Sequence, residues 1–301
     1  MGSPHIALVT GASRGIGRAI ALRLASAGMK VLCTARTVEP RDGRYAGSLQ
    51  ETVDEIGRAG GHAVAAACDL AMPDLDTQPL YRLAEEEFGD HVDVVVHNAA
   101  HDRQFDITFD RMTEALFLDT VRVNVWAGWT LACRAIPGML ERGAGWILNV
   151  SSRAASPKLG PPYVSVPPVY GQCLYGSSKA MLDRLTTGAA SELWESNIAV
   201  NALAPEGAIA TENAMAVANV SPDMAEPEET MAEAALALCT GTPKILTGNV
   251  AYSLSLVVAL GLPVHTLDGR SLVPGWQPGD IPSDRLAPPY LVGAGRLGRG
   301  E

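Results

Sequence analysis

A phenol and an amine stand four residues apart in the stretch CLYGSSKAM, residues 173–181, as Tyr175 and Lys179. Neighbours at i and i+4 share one face of a helix, so the ammonium lies on the tyrosine's side. A free phenol titrates at about 10, and a cation beside it favours the phenolate. The pair therefore suits a reaction in which tyrosine takes up or gives up a proton. Tyr170 lacks this arrangement, because Leu174 stands four residues after it.

A second chemical signal opens the chain. The apolar run HIALVT leads into TGASRGIG, with Gly11, Gly15 and Gly17 at a strand-to-helix turn. Glycines there let the backbone approach a pyrophosphate, which rests on the amides and positive dipole of the following helix. The spacing is GxxxGxG, not the GxGxxG of the usual dinucleotide fingerprint. At the end of the second apolar run, CTART places Ala35 and Arg36 where an acid would bind the ribose of NAD. Arg36 and Arg14 would instead attract a 2'-phosphate. NADP(H) is expected, in preference to NAD(H).

These residues need a scaffold that brings strand ends and helix starts together. Short apolar runs alternate with helical patterns: HIALVT, KVLCTAR, HAVAAACDL, VDVVVHNA, GWILNVSS and IAVNALAP are each a strand candidate. Nearly unbroken apolar strands imply a parallel sheet buried on both faces. The expectation is an α/β fold, a single doubly wound Rossmann-type domain with a parallel sheet. It covers residues 1–270 as an NAD(P)-binding catalytic domain and leaves 271–301 as a Pro/Gly-rich C-terminal arm. Two long insertions, TVEPRDGRYAG and RAASPKLGPPYVSVPPVYGQC, fall on the edge where open α/β sheets bind ligands.

Composition narrows the partners. Of 301 residues 47% are hydrophobic and 19% charged, with a formal net charge of -10. That balance argues against nucleic acid. The apolar run VAYSLSLVVALGLPV is broken by serines, Gly261 and Pro263 and is too short for a membrane span. HIALVTGAS begins within a few residues of Met1, so no signal peptide is expected. Five scattered cysteines, Cys33, Cys68, Cys133, Cys173 and Cys239, show no metal-ligand spacing and read as reduced residues of a cytoplasmic protein. No metal is expected.

Together TGASRGIG, HNAA, NVSS and YGSSK, in that order, resemble the short-chain dehydrogenase/reductase family, in its shorter branch with the glycine pattern TGxxxGxG. The match covers about residues 5–255. It implies catalytic positions at Asn124, Ser152, Tyr175 and Lys179. Tyr175 would exchange the proton as hydride moves, Ser152 would hydrogen-bond the same substrate oxygen, and Lys179 would also hold the nicotinamide ribose. Asn124 would organise a water linked to Lys179. Alternation along the strand end sends only one of Ser151 and Ser152 to the pocket, and the resemblance selects Ser152. Cofactor contacts carry over to Gly11, Ser13, Arg14, Gly15, Ile16 and Gly17 in the turn, to Arg36, to Asp69 and Leu70 beside the adenine, and to Asn98 and Ala99 over the adenosine ribose. Pro205, Ile209 and Thr211 would meet the nicotinamide, with Tyr175 and Lys179. Ala100 replaces the usual Gly after HNA, and LAPEGAIATE departs from PGxVxT by one residue. The same late spacing is similar to a hydroxysteroid-dehydrogenase-like subgroup.

The resulting expectation is an NADP(H)-dependent oxidoreductase that interconverts a secondary alcohol and a ketone. Leu159, Pro161, Pro162, Tyr163, Val164, Pro167, Pro168 and Val169 between Ser152 and Tyr175 suggest an apolar pocket wall, and hence a lipophilic substrate. Glu206 and Glu212 would discourage an anionic one. The alternatives are a non-catalytic dinucleotide-binding or cofactor-sensing protein, and a 3-hydroxyacyl/3-oxoacyl thioester oxidoreductase; an extended-branch epimerase fits the glycine spacing poorly. His97, His101 and Cys173 read as packing or rim residues. The family pattern implies a homodimer or homotetramer through the helices carrying Asn124 and Tyr175.

Overall fold

A strand that is apolar at every position must be covered on both faces, and β1 (Ile6–Thr10) is buried throughout. Its side chains alternate: Ala7 and Val9 join one apolar layer, Ile6 and Leu8 the other. Each fully buried Leu or Ile contributes about 1.5–3 kcal/mol. The computed structural model describes residues 5–39, 46–101, 107–158, 160–161, 172–207, 209 and 226–275.

After β1 come α1 (Gly15–Ser26), β2 (Lys30–Ala35), α2 (Leu49–Arg58), β3 (His62–Ala67), α3 (Gln78–Phe88) and β4 (Val94–His97). Then follow α4 (Glu114–Val121), a π turn (Arg122–Trp126), α5 (Ala127–Arg142), β5 (Gly145–Val150), α6 (Gln172–Leu193) and β6 (Ile198–Ala204). The described chain closes with α7 (Glu228–Thr240), β7 (Val250–Tyr252) and α8 (Ser253–Ala259). Ser48 caps the start of α2: its Oγ accepts from the Glu51 N–H and donates to the Glu51 carboxylate, both at 3.2 Å.

The seven strands form one sheet in the order β3-β2-β1-β4-β5-β6-β7, with every pairing parallel. Residues of α1, α2, α7 and α8 pack on one face, and residues of α3, α5 and α6 on the other. The expected doubly wound fold is therefore present. No helix among the described residues is long and apolar enough to cross a membrane.

Two elements differ from the sequence reading. VAYSLSLVVALGLPV, to which the sequence reading assigned no element, forms a strand followed by a helix, β7 and α8. The helical stretch around Asn124 is not uniform. Within it the Ala127 N–H reaches the Arg122 carbonyl, five residues back, which defines a π turn. The arm beyond Gly275 lies outside the described residues.

Candidate active site

Strand order reverses beside β1, where β2 lies on one side and β4 on the other. Open parallel sheets bind ligands in the crevice at that reversal. The glycine turn sits there. Gly11 and Gly15 have positive φ values of 66° and 51°, and a Cβ on Gly17 would overlap the Gly11 carbonyl. Larger residues would push the turn and α1 apart. Asn98 Nδ2 donates to the Thr10 carbonyl at 3.0 Å, and the Asn98 and Ala99 N–H groups both donate to Thr10 Oγ1 at 3.0 Å. The end of β4 is thereby tied to the glycine turn.

This cradle fits a dinucleotide pyrophosphate. Arg14 precedes α1 in an extended conformation, no side chain caps the helix, and no acid stands in its first turn. The first-turn amides and the helix dipole are thus suited to an anion. Ser13 is buried in the turn, while Ile16 is only partly so. Arg14 also donates to the Gly47 carbonyl at 3.1 Å, holding the chain ahead of α2 against the turn. Arg36 is exposed just past β2. Asp69 is exposed beyond β3, where it accepts the Ala71 N–H, and Leu70 is buried.

The proton-transfer candidates converge around the start of α6. Tyr175 is in its first turns, and a hydrogen bond joins its side chain to that of Ser152, just beyond β5. Ser152 Oγ also accepts the Ala154 N–H at 3.2 Å. A Cβ on Gly176 would overlap the Ala154 carbonyl, so a glycine beside Tyr175 lets α6 sit tightly on this turn. Ser151 is 3% exposed and its hydroxyl lies by Asp183. Alternation thus separates the two serines as expected.

Lys179 is 2% exposed, with Nζ donating to the Val150 carbonyl at 2.7 Å and lying 5.8 Å from the Tyr175 ring centre. Burial lowers its ammonium to about 8, with the Asp183 carboxylate in part opposing the shift. Burial likewise pushes Asp183 up to about 6. Tyr175 lies above the ordinary phenol value: burial raises it and the Ser152 hydrogen bond pulls it partly back. The depression expected from Lys179 is not among the causes of this shift, and burial sets its direction.

Asn124 is fully buried inside the π turn. Its Oδ1 accepts the His101 N–H at 2.8 Å and its Nδ2 donates to Ser178 Oγ at 2.9 Å. Ser178 in turn donates to the Tyr175 carbonyl at 2.7 Å. The side chain thus links the segment after β4, the π turn and α6. His97, read from sequence as packing, is part of the same assembly: its Nε2 donates to the Asn124 carbonyl at 3.1 Å. Burial first, and then Lys179, lower its imidazolium to about 4, so it is neutral at ordinary pH. A histidine between VVV and Asn98 carries no spacing signal for this role.

On the far side, Pro205 is partly buried and Ile209 is 3% exposed, its side chain packed in the core. Only its backbone is left to meet a cofactor. Glu206 departs from the sequence reading. Its carboxylate is buried, bonded to the N–H and hydroxyl of Ser255, and does not screen the pocket against anions. Burying a carboxylate is costly, and it is viable here because the oxygens find donors on α8. Glu226, which the sequence reading missed, receives the Glu206 and Gly207 amides. Thr211, Glu212, Leu159 and residues 162–169 lie outside the described residues, and so does the apolar wall expected there.

The profile of the short chain dehydrogenase family matches residues 5–221. The 7alpha-hydroxysteroid dehydrogenase of Escherichia coli (strain K12) is 30% identical over 259 residues, covering 81% of this chain and 90% of that protein. A 3-oxoacyl-[acyl-carrier-protein] reductase of Staphylococcus aureus (strain N315) is 36% identical over 202 residues, 66% of this chain and 72% of its own. Among solved structures, a 7 alpha-hydroxysteroid dehydrogenase complexed with NADH and 7-oxo glycochenodeoxycholic acid matches with a TM-score of 0.68 and 30% identity, covering 81% and 90% of the two chains. A metagenomic short-chain oxidoreductase in complex with NADP matches with a TM-score of 0.57 and 33% identity, covering 68% and 84%.

Proposed function

The chain belongs to the short-chain dehydrogenase family, and on that premise we propose that this oxidoreductase uses NADP(H) to interconvert a secondary alcohol and a ketone on a lipophilic small molecule. The observation that carries the reading is the convergence of Ser152, Tyr175 and Lys179 at the carboxyl edge of the sheet, beside the glycine turn. A bound nicotinamide dinucleotide would accept or supply the hydride. The chain's own residues manage the proton. Ser152 donates a hydrogen bond to the substrate oxygen, and Tyr175 takes the alcohol proton or gives one to the ketone. Lys179 places positive charge by the phenol, and Asn124, through Ser178, steadies the first turn of α6. Gly11 to Gly17 would hold the pyrophosphate, Asp69, Leu70, Asn98 and Ala99 the adenosine, and Pro205 to Thr211 the nicotinamide.

The preference for NADP(H) rests on Arg36 and Arg14, since a charge-assisted hydrogen bond is worth about 1.5–3 kcal/mol. Quenching of tryptophan fluorescence should give a dissociation constant for NADPH roughly tenfold or more below that for NADH, and Arg36→Ala should narrow the gap. Equal or tighter binding of NADH overturns the assignment, and binding of neither favours a non-catalytic use of the fold. A thioester reductase is the second reading, favoured by the 36% identity to the 3-oxoacyl reductase. Turnover of an acyl thioester but not of apolar ketones would select it.

Helix faces next to the site also expose Phe117, Leu118, Trp126, Trp129 and Met181. Such a group of apolar side chains fits a homodimer or homotetramer. Light scattering should give two or four times the 31.6 kDa of one chain, and a mass of one chain removes this assignment. The cysteines Cys33, Cys68, Cys133, Cys173 and Cys239 are all unpaired, in keeping with a reducing cytoplasm; recovery in a membrane or secreted fraction would exclude it.

A further inference from the structure

Glu226 is 4% exposed, yet it touches no cation among its hydrogen-bond partners. Every one of those partners is a donor. One carboxylate oxygen accepts the Glu206 N–H at 3.0 Å and the Gly207 N–H at 3.1 Å. The other accepts the hydroxyls of Thr230, on α7, and Ser253, at the start of α8. Glu226 also forms an isolated parallel bridge with Ile209. One carboxylate therefore fastens the backbone beyond β6 to two helices. The Arg153 guanidinium, next to Ser152, donates to the Glu206 carbonyl at 2.7 Å and gives that backbone a further tether.

We propose that Glu226 is a positioning residue for the nicotinamide half of the cofactor: it sets the path of Pro205–Gly207 by gathering the two successive amides of Glu206 and Gly207 onto one carboxylate oxygen. This rests on the reading that Pro205–Gly207 faces the nicotinamide. Without Glu226, two backbone N–H groups would be left without an acceptor, and each then loses its bond to water with nothing in its place. The strand end must then shift to find new partners. The hydroxyls of Thr230 and Ser253 make the residue tolerant of one specific exchange. Glutamine can keep its oxygen on the amides and turn its NH2 toward the hydroxyls, which accept as well as donate. Alanine has no acceptor at all.

The test compares NADPH with 2'-phospho-ADP-ribose, which lacks the nicotinamide, as ligands of wild-type protein, Glu226→Gln and Glu226→Ala. In Glu226→Ala, the dissociation constant for NADPH should rise roughly tenfold while that for 2'-phospho-ADP-ribose stays within about twofold. Glu226→Gln should stay close to wild type for both. Unchanged NADPH binding in Glu226→Ala, or an equal loss of both ligands, overturns the role and leaves the cofactor reading standing. Wild-type protein that binds neither ligand removes the cofactor reading itself, and the proposal with it. Should Glu226→Ala not fold, Glu226→Asp retains the charge but is one methylene short of the two amides. The same selective loss is expected of it, and equal loss of both ligands counts against the proposal.

Discussion

Tyr175→Phe is expected to bind NADPH within about twofold of wild type and to lose roughly 10²- to 10⁴-fold in turnover. The ring is only partly buried and its hydroxyl meets Ser152, so removing one oxygen leaves the packing of α6 intact. A proton donor is lost from the reacting edge, whereas the glycine turn and the Arg36 position are untouched. Stopped-flow or steady-state oxidation of NADPH with a panel of bicyclic and long-chain ketones is the measurement. Near-wild-type turnover in Tyr175→Phe would remove this phenol from the mechanism, whatever substrate supports it.

The pH dependence follows from the same residues. Ketone reduction needs the protonated phenol and, beside it, the Lys179 ammonium. Burial holds that ammonium near about 8, so the charge is present below that value and is lost as pH rises through it. Tyr175, raised above the ordinary phenol value, is still protonated there. Wild-type reduction should therefore be limited on the alkaline side by Lys179 and not by Tyr175. The Asp183 carboxylate favours the ammonium, so in Asp183→Asn the limb should move to lower pH. A limb that stays in place would mean that Asp183 does not act on Lys179.

The features legible in the sequence are those with local spacing. Tyr175 and Lys179 share a helix, and TGASRGIG adjoins an apolar strand, so both could be placed without knowing the fold. Alternation along a strand end sends only one of Ser151 and Ser152 to the pocket, and choosing Ser152 needed the family resemblance. His97 and Glu226 had no such signal. Their function depends on partners distant in sequence: Asn124 lies 27 residues from His97 and Glu206 lies 20 from Glu226. Glu206 was misread for the same reason. A glutamate beside a pocket looks solvated until Ser255, 49 residues on, supplies the donors that bury it. The π turn escaped because five residues of unusual winding inside a long helix change no apolar period that a reader can count.

Long-range pairing also sets the second large effect, the loss of the Arg23 to Glu233 bridge. Arg23 on α1 and Glu233 on α7 are 210 residues apart, and each is under one-tenth exposed. The guanidinium donates twice, Nε to Oε2 and NH2 to Oε1, both at 3.0 Å. Its remaining nitrogen reaches Ser26 Oγ at 3.0 Å, and His265 bonds the same carboxylate at 3.2 Å. Removing one partner of such a pair leaves a buried charge and costs about 3–5 kcal/mol, whereas replacing both with apolar residues is near neutral or stabilising. Arg23→Met should thus lower the unfolding free energy by about 3–5 kcal/mol in urea, and Arg23→Met with Glu233→Leu should recover most of it. The consequence reaches the site, because α1 begins at the glycine turn and packs on α7. Since NADPH binds only the folded chain, saturating cofactor should restore part of the lost stability by mass action. A single variant as stable as wild type would show that groups other than Arg23 satisfy Glu233, and a double variant as weak as the single one would show that the loss does not come from a stranded charge.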